Sequence, residues 1–391
     1  MKRIMVVFGT RPEAIKLAPV VQALDRAPGF EPIVAVTAQH REMLDQVLDT
    51  FGILPQHDLN ILKDRQTLTD VTVRALEGMT PVIEQERPDA VIVQGDTTTT
   101  FVGALAAFYH RVPAVHVEAG LRTRNPYSPY PEEINRRLTT QLTSLHLAPT
   151  TTAKRNLLGE GVDESRIVVT GNTVIDALLW TVERPADAEG AERDGLAGLE
   201  GLDGFEDKRI VLVTAHRRES WGPAMEAVGR ALATIARSEP DVKIVFPIHR
   251  NPRVREAILP SVDGLGNVHL LEPLPYAPFA HLMRRAHIIL TDSGGIQEEG
   301  PSLGKPVLVM RDTTERPEAL AAGTVRLVGT DEHAIAGAVR TLLHDEAAYQ
   351  AMANAVNPYG DGHAARRTVD ALLHFFGEGP PADEFEGGAA G

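Results

Sequence analysis

The stretch LTDSGGIQEEG at residues 290–300 ends an apolar run at Thr291 and Asp292, turns through Ser293, Gly294 and Gly295, and enters a segment of helical texture. Glycines let a backbone approach a ligand closely, and the first N–H groups of a helix offer unpaired donors and a positive dipole end. An anion such as a phosphate suits that place. A strand-to-helix turn in any α/β protein has the same glycines. Glu298 and Glu299 lie about one turn further in, too deep to act as caps, and suit the hydroxyls of a sugar or ribose.

Other polar groups stand just after apolar runs. Arg11 and Lys16 fall in the first turns of a helical segment, where cations oppose the dipole and need an anion or a carboxylate such as Glu13. Asp96 follows VIVQG and precedes a threonine run, so it reads either as a helix N-cap or as a base. Glu118, in HVEAGLRT, closes a buried run and must be paired, solvated or functional. In SPYPEEINRRLT, Pro131 suits a first helical position with Glu132 and Glu133 in the first turn. Glu132 with Arg136 and Glu133 with Arg137 are favourable four-residue pairs, so structure alone could explain them. His216 in TAHRRES has Arg217 and Arg218 beside it, which disfavour its protonation. It suits a phosphate or carbohydrate hydroxyls, or is an ordinary surface histidine. Gln39, His40, His249 and Arg250 occupy similar positions.

No group has metal-ligand spacing, no G-x-G-x-x-G follows the first apolar run, and no Walker lysine loop is present. No metal or other cofactor is therefore expected.

Positioning these groups falls to short apolar runs that alternate with helical periodicity: 3–8, 32–38, 89–96 and 113–120, then 145–148 and 167–170, and again 209–216, 242–249, 268–274, 286–293, 305–312 and 324–329. Runs apolar on both faces, separated by helices, predict parallel doubly wound sheets in an α/β chain. At 391 residues two Rossmann-like domains are expected, 1–172 and 173–360. An acidic, Ala- and Gly-rich spacer covers about 180–207. A helix at 361–377, ending in Phe375 and Phe376, is expected to join the first domain, and 378–391 to be a disordered tail. The polar residues collect at the carboxyl ends of the strands, the usual ligand side of such sheets, so the active site is expected in the interdomain cleft. A net charge of −14 with no basic stretch argues against nucleic acid, and no apolar run approaches a membrane span, so a cytoplasmic protein is expected.

Taken together, FGTRPEAIKLAP (8–19), TAQHREMLDQVL (37–48), QGDTTTT (94–100), HVEAGLRT (116–123), YPEEINRRLT (130–139), HRRES (216–220), TDSGGIQEE (291–299) and GKPVLVMRDTTERPEA (304–319) resemble the non-hydrolysing UDP-N-acetylglucosamine 2-epimerases. The resemblance implies a GT-B-like pair of Rossmann domains, a homodimer, and interconversion of UDP-GlcNAc and UDP-ManNAc that supplies ManNAc units for surface polysaccharide. It implies Asp96, Glu118, Glu132 and His216 as catalytic residues, with the proton-abstracting and proton-returning roles unassigned. It implies Arg11, Lys16, Ser293, Gly294 and Gly295 at the diphosphate, Glu299 at the ribose, Phe279 near uracil and Arg316 on the ligand side. An allosteric UDP-GlcNAc is implied at Gln39, His40, Arg65, Gln66, Glu132, Arg217 and His249. Leu274 stands where some members carry glutamine, so a side-chain hydrogen bond to the base is not expected there.

The chemistry asks for a leaving-group seat and two proton-handling groups. If UDP leaves C1 while a base takes the C2 proton, a 2-acetamidoglucal forms, and readdition with protonation on the other face inverts C2. A UDP-sugar-dependent glycosyltransferase, a hydrolysing epimerase that frees ManNAc, and a non-catalytic nucleotide-sugar sensor are the rival readings; fold alone does not separate them.

Overall fold

The computed structural model describes residues 1–38, 41–63, 65–184, 205, 207–217 and 220–387. The described residues form two compact units: Met1–Ala177 with Tyr359–Gly387, and Leu178–Pro358. The boundary on the first crossing falls inside the helix Thr173–Glu183 rather than in a loop. Most of the acidic spacer, and residues 388–391, lie outside the described residues.

In the first unit the apolar runs become β1 (Lys2–Phe8), β2 (Phe30–Val36), β3 (His57–Asp58), β4 (Ala90–Gln94), β5 (Ala114–Val117), β6 (Thr143–Ala148) and β7 (Ile167–Val169). They lie in the order β3-β2-β1-β4-β5-β6-β7, with parallel neighbours throughout. The reversal of order at β1 and β4 is the doubly wound pattern. No apolar run announces β3; two residues suffice because β2 supplies its ladder at Ala35 and Val36.

The helices of this unit are α1 (Arg11–Arg26), α2 (Arg41–Phe51), α3 (Leu68–Glu86), α4 (Thr98–Tyr109), α5 (Glu132–Leu142), α6 (Thr151–Gly159) and α7 (Thr173–Glu183), whose last residues belong to the second unit. Helix α1 starts with a capping box: Glu13 reaches back to the N–H of Thr10 at 2.8 Å, and Pro12 fits the first turn because its missing N–H has no partner there.

In the second unit β8 (Ile210–Thr214), β9 (Lys243–Pro247), β10 (Val268–Leu271), β11 (Ile288–Thr291), β12 (Val307–Val309) and β13 (Val325–Leu327) order as β10-β9-β8-β11-β12-β13, again parallel. Helices α8 (Pro223–Ser238), α9 (Pro252–Val262), α10 (Tyr276–Arg285), α11 (Gly294–Ser302), α12 (Pro317–Ala321), α13 (Glu332–His344) and α14 (Glu346–Ala353) accompany them. Val213, Leu232, Phe246, Ile258 and Leu290 are fully buried in its core. Each such side chain contributes about 1.5–3 kcal/mol by leaving water.

The last helix, α15 (Ala364–Phe375), packs on α1 in the first unit. Its first N–H groups are met from another helix: the Asp176 carboxylate of α7 accepts from Ala364 at 3.2 Å and Ala365 at 2.8 Å. The expectation of a disordered tail fails for residues 378–387. Phe385 is buried and its N–H donates to Val169 O at 2.7 Å, while Glu384 takes the Lys154 ammonium at 3.1 Å. One aromatic anchor and an exposed strand edge outweigh the polar composition around them.

Candidate active site

On the first unit, the ends of β4 and β5 and the start of α5 bring carboxylates to one rim. Glu118 follows β5 in a left-handed conformation, φ +63°, and its carboxylate is buried. Lys16 donates to both of its oxygens at 2.6 and 2.7 Å, Gln94 donates to Oε2, and Asn172 Nδ2 donates to Oε1 at 3.1 Å. A buried carboxylate so supplied can stay ionised. Lys16 thus lies on the neighbouring acid as well as in the anion-facing first turns of α1. Glu13, the other expected partner of these cations, accepts instead from Gly9 and Thr10 N–H and from the hydroxyls of Thr10, Thr97 and Thr100. Burial raises its pKa in spite of those bonds.

Asp96 is not a helix cap. Thr97 caps α4, accepting from Thr100 N at 3.1 Å, and the Asp96 carboxylate instead pairs with Arg136 of α5. The capping position moves one residue on because Gly95 takes φ +73° and turns the chain before the helix begins. Helix α5 starts at Glu132, with Pro131 as its N-cap rather than its first residue. The four-residue pairs do not form. Glu133 is fully buried and accepts from the N–H groups of Thr123 and Arg124 at 3.0 Å and from Arg136 at 3.3 Å. Glu132 keeps one buried oxygen, Oε2, with no hydrogen-bond partner among the described residues. Such an acceptor is costly unless something outside the chain meets it.

On the second unit, β8 ends beside β11. Asp292 closes β11 with a buried carboxylate whose Oδ2 accepts from the N–H groups of His216 at 2.7 Å and Arg217 at 2.8 Å, while Oδ1 stands 3.1 Å from His216 Nδ1. Burial works to raise this carboxyl, but the His216 ring and the two N–H groups outweigh it and hold it below the usual range. The imidazole is thereby oriented by an ionised partner and half-exposed. His249 lies face to face with it, ring centroids 6.2 Å apart.

The next residue, Ser293, is the N-cap of α11 and makes no side-chain cap bond. Gly294 and Gly295 open the helix, so its first N–H groups have no intrahelical acceptor. A Cβ at Gly295 would meet no atom of the described residues within 4 Å, whereas one at Gly294 would come 3.0 Å from Glu315 Oε1. Arg217 donates to Asp292 O and Glu315, and Arg311 also holds Glu315 at 2.6 Å. Burial opposes the ionisation of Glu315, yet a backbone N–H and these arginines bring its carboxyl down to about 2. Two arginines thus border the start of α11.

A family model described as UDP-N-acetylglucosamine 2-epimerase matches residues 22–373. The chain belongs to the UDP-N-acetylglucosamine 2-epimerase family. It is 56% identical over 370 residues to the UDP-N-acetylglucosamine 2-epimerase of Escherichia coli K12, covering 95% of this chain and 98% of that one. Among solved structures it is similar to the UDP-GlcNAc 2-epimerase of Neisseria meningitidis bound to UDP-GlcNAc, with a TM-score of 0.84, 49% identity and coverage of 95% and 100%. It is similar also to a UDP complex from S. aureus, with a TM-score of 0.84, 46% identity and coverage of 99% and 100%. Membership makes the chain an epimerase, an isomerase acting on a nucleotide sugar, and its two parallel α/β units are those of the GT-B-like neighbours.

Of the groups expected at the epimerase site, Asp96, Glu118 and Glu132 share the rim of the first unit with Arg11 and Lys16. His216, Ser293, Gly294 and Gly295 share that of the second. Glu299 is half-buried in α11 and Phe279 half-buried in α10. Glu298 is buried and its Oε1 pairs with Arg316. Arg316 is therefore anchored at the side of α11. Of the residues expected at a second nucleotide-sugar site, Arg65 and Gln66 precede α3 in the first unit, Arg217 and His249 lie beside His216 in the second, and Gln39 and His40 lie outside the described residues. The sequence does not single out Asn172 and Glu315, and marks Asp292 only as the end of an apolar run and Arg136 only as a helix partner of Glu132. The only signal for Asp292 is its place directly before Ser293; the others are partners across the chain that no spacing joins.

Proposed function

We propose that this epimerase interconverts UDP-GlcNAc and UDP-ManNAc by eliminating and readding UDP. The observation that carries the reading is Asp292, which orients His216 on one side and on the other leads directly into the glycine-led start of α11. A proton-handling imidazole and an anion seat are thus built on two neighbouring strand ends, those of β8 and β11. In the forward half, the C1–O bond breaks with its electrons leaving on UDP, and a base takes the C2 proton, whose electron pair forms the C1–C2 double bond of 2-acetamidoglucal. In the return half UDP adds at C1 and C2 is protonated on the opposite face.

Ser293, Gly294 and Gly295 hold the diphosphate with Arg11, Glu299 contacts the ribose, and Phe279 borders the uracil. Preset N–H donors meet the negative charge as it develops on UDP, which supplies the largest catalytic contribution. Asp96, Glu118 and Glu132 with His216 divide the proton transfers. Lys16 and Asn172 favour an ionised Glu118, and the unpartnered Glu132 Oε2 suits a sugar hydroxyl or a transferring proton. UDP binding by the S. aureus relative and UDP-GlcNAc binding by that of N. meningitidis support the substrate. The enzyme works as a cytoplasmic homodimer, is activated by a second UDP-GlcNAc at Arg65, Gln66, Glu132, Arg217 and His249 with Gln39 and His40, and supplies ManNAc units for surface polysaccharide.

Incubation with UDP-GlcNAc in D2O, followed by NMR, tests this. UDP-ManNAc carrying deuterium at C2 is the expected product; unchanged substrate or free ManNAc as main product would overturn it. Activation by a second nucleotide sugar predicts that a trace of UDP-GlcNAc accelerates the reaction of UDP-ManNAc, and no acceleration would remove that part.

A further inference from the structure

The turn that carries Asp96 is held at three consecutive carbonyls, each by a side chain from a different element. Thr100 Oγ1 of α4 donates to Gln94 O at 2.6 Å, His116 Nε2 of β5 to Gly95 O at 2.7 Å, and Asn135 Nδ2 of α5 to Asp96 O at 3.0 Å. The three side chains are 0%, 1% and 9% exposed. The turn needs such support. Gly95 sits at φ +73°, its N–H donates to Val117 O at 3.0 Å, and Glu118 follows on the neighbouring strand at φ +63°. A residue other than glycine in that conformation persists only where its surroundings impose it.

His116 stands out among the three because a strand interior ordinarily takes an apolar residue, and Val115 and Val117 on either side do so. A carbonyl only accepts, so its bond to Gly95 O fixes the tautomer with the proton on Nε2. Nδ1 is then a bare lone pair, buried and without a hydrogen-bond partner among the described residues. A second proton there would have no acceptor, and burial pushes the imidazole down to about 4. The side chain is a neutral single donor with one use, the Gly95 carbonyl.

We infer that His116, seconded by Thr100 and Asn135, is a positioning residue of the epimerase: it locks the turn at residues 94–96 so that Asp96 and Glu118 stay at one level of the rim. The inference rests on the proposed roles of those two carboxylates. A histidine serving only the core would contribute to stability, and its loss would lower apparent kcat only through the folded fraction, in step with the melting temperature. A positioning residue acts on the chemical step, since a displacement of about 1 Å can lower a rate roughly 100-fold.

The test compares His116→Phe, which keeps a ring but no donor, with His116→Gln, which keeps an N–H at similar reach, and with Gly95→Ala, which strains the same turn from within. In D2O with UDP-GlcNAc, H116F is expected to lower kcat and C2 deuteration together by roughly 10- to 100-fold with KM within about threefold. H116Q is expected to recover most of kcat, and G95A to reproduce the kcat-selective loss. A kcat for H116F within about twofold of the parent overturns the inference, as does equal loss in H116F and H116Q that tracks their melting temperatures. Should H116F not fold, a parental kcat in G95A overturns it and a selective loss there beside an active H116Q supports it. Failure of the parent enzyme itself to make C2-deuterated UDP-ManNAc would instead refute the reaction, whatever the variants do.

Discussion

At the scale of single residues, the site depends on carboxylates whose neighbours decide whether they are charged. Asp292 is held below the usual carboxylate range because the His216 ring and two N–H groups outweigh its burial, and in the proposed reaction it orients His216. Replacing it by Asn keeps the volume but removes the carboxylate charge that faces the ring at 3.1 Å. Asp292→Asn is expected to lower kcat about 100-fold with little change in KM, read from initial rates with UDP-GlcNAc; an unchanged kcat would show that His216 needs no such partner. Glu13 has a purely structural role that its motif position did not disclose. Glu13→Ala leaves two N–H groups and several hydroxyls unpaired and should cost about 3 kcal/mol in urea unfolding, with Glu13→Gln milder because it keeps one acceptor.

At the scale of elements, the proposed return of UDP rests on the start of α11. Gly295 is the informative position. A Cβ there meets no atom of the described residues, and its backbone is outside the left-handed region, so Gly295→Ala should leave the melting temperature unchanged or raise it slightly, as Ala favours a helix over Gly by about 1 kcal/mol. The same methyl would intrude on a diphosphate at the helix N-terminus. G295A is therefore expected to release free UDP and 2-acetamidoglucal during turnover, detected by chromatography of the nucleotide pool. A stable G295A with normal turnover and no such leakage would take the phosphate away from α11. The alternation of apolar runs with helical periodicity made these elements legible in the sequence. The two-residue β3 was not, since a strand that short draws its conformation from its neighbour, and the start of α4 shifted because Gly95 turns the chain before Thr97 can cap it.

At the scale of the whole molecule, ionisable groups buried in both units set the response to acid. Burial pushes His116 down to about 4 and His146 to about 3, and lowers His269, His281 and His287 as well. A depressed histidine contributes stability that is present above its ordinary value near 6.5 and is lost as pH falls toward its folded value, because unfolding then takes up protons. Asp176, raised to about 6 by burial, and Glu13, also raised by burial, pull the other way: their contribution is present at low pH and is lost as pH rises through their folded values. The five histidines outnumber these two carboxyls, so urea unfolding is expected to show stability on the order of 2 kcal/mol lower at pH 5 than at pH 7. An equal or higher midpoint at pH 5 would contradict the burial of these rings. Among the described residues no helix is long and apolar enough to cross a membrane.

Two parallel doubly wound sheets, a glycine-led helix start after β11 and the carboxylates at the ends of β4 and β5 were determined by the sequence alone, because they follow from local periodicity, glycine and strand-end position. What only the tertiary structure decided is pairing between residues far apart in the chain. Asp96 meets Arg136 rather than capping a helix, Glu298 is taken by Arg316, Asp292 holds His216, and His116 supports the Gly95 carbonyl. Phe385 holds down a tail whose composition is that of disorder. Local order is written in spacing of a few residues, whereas the state of a buried charge is set by whichever groups folding brings within about 3 Å of it.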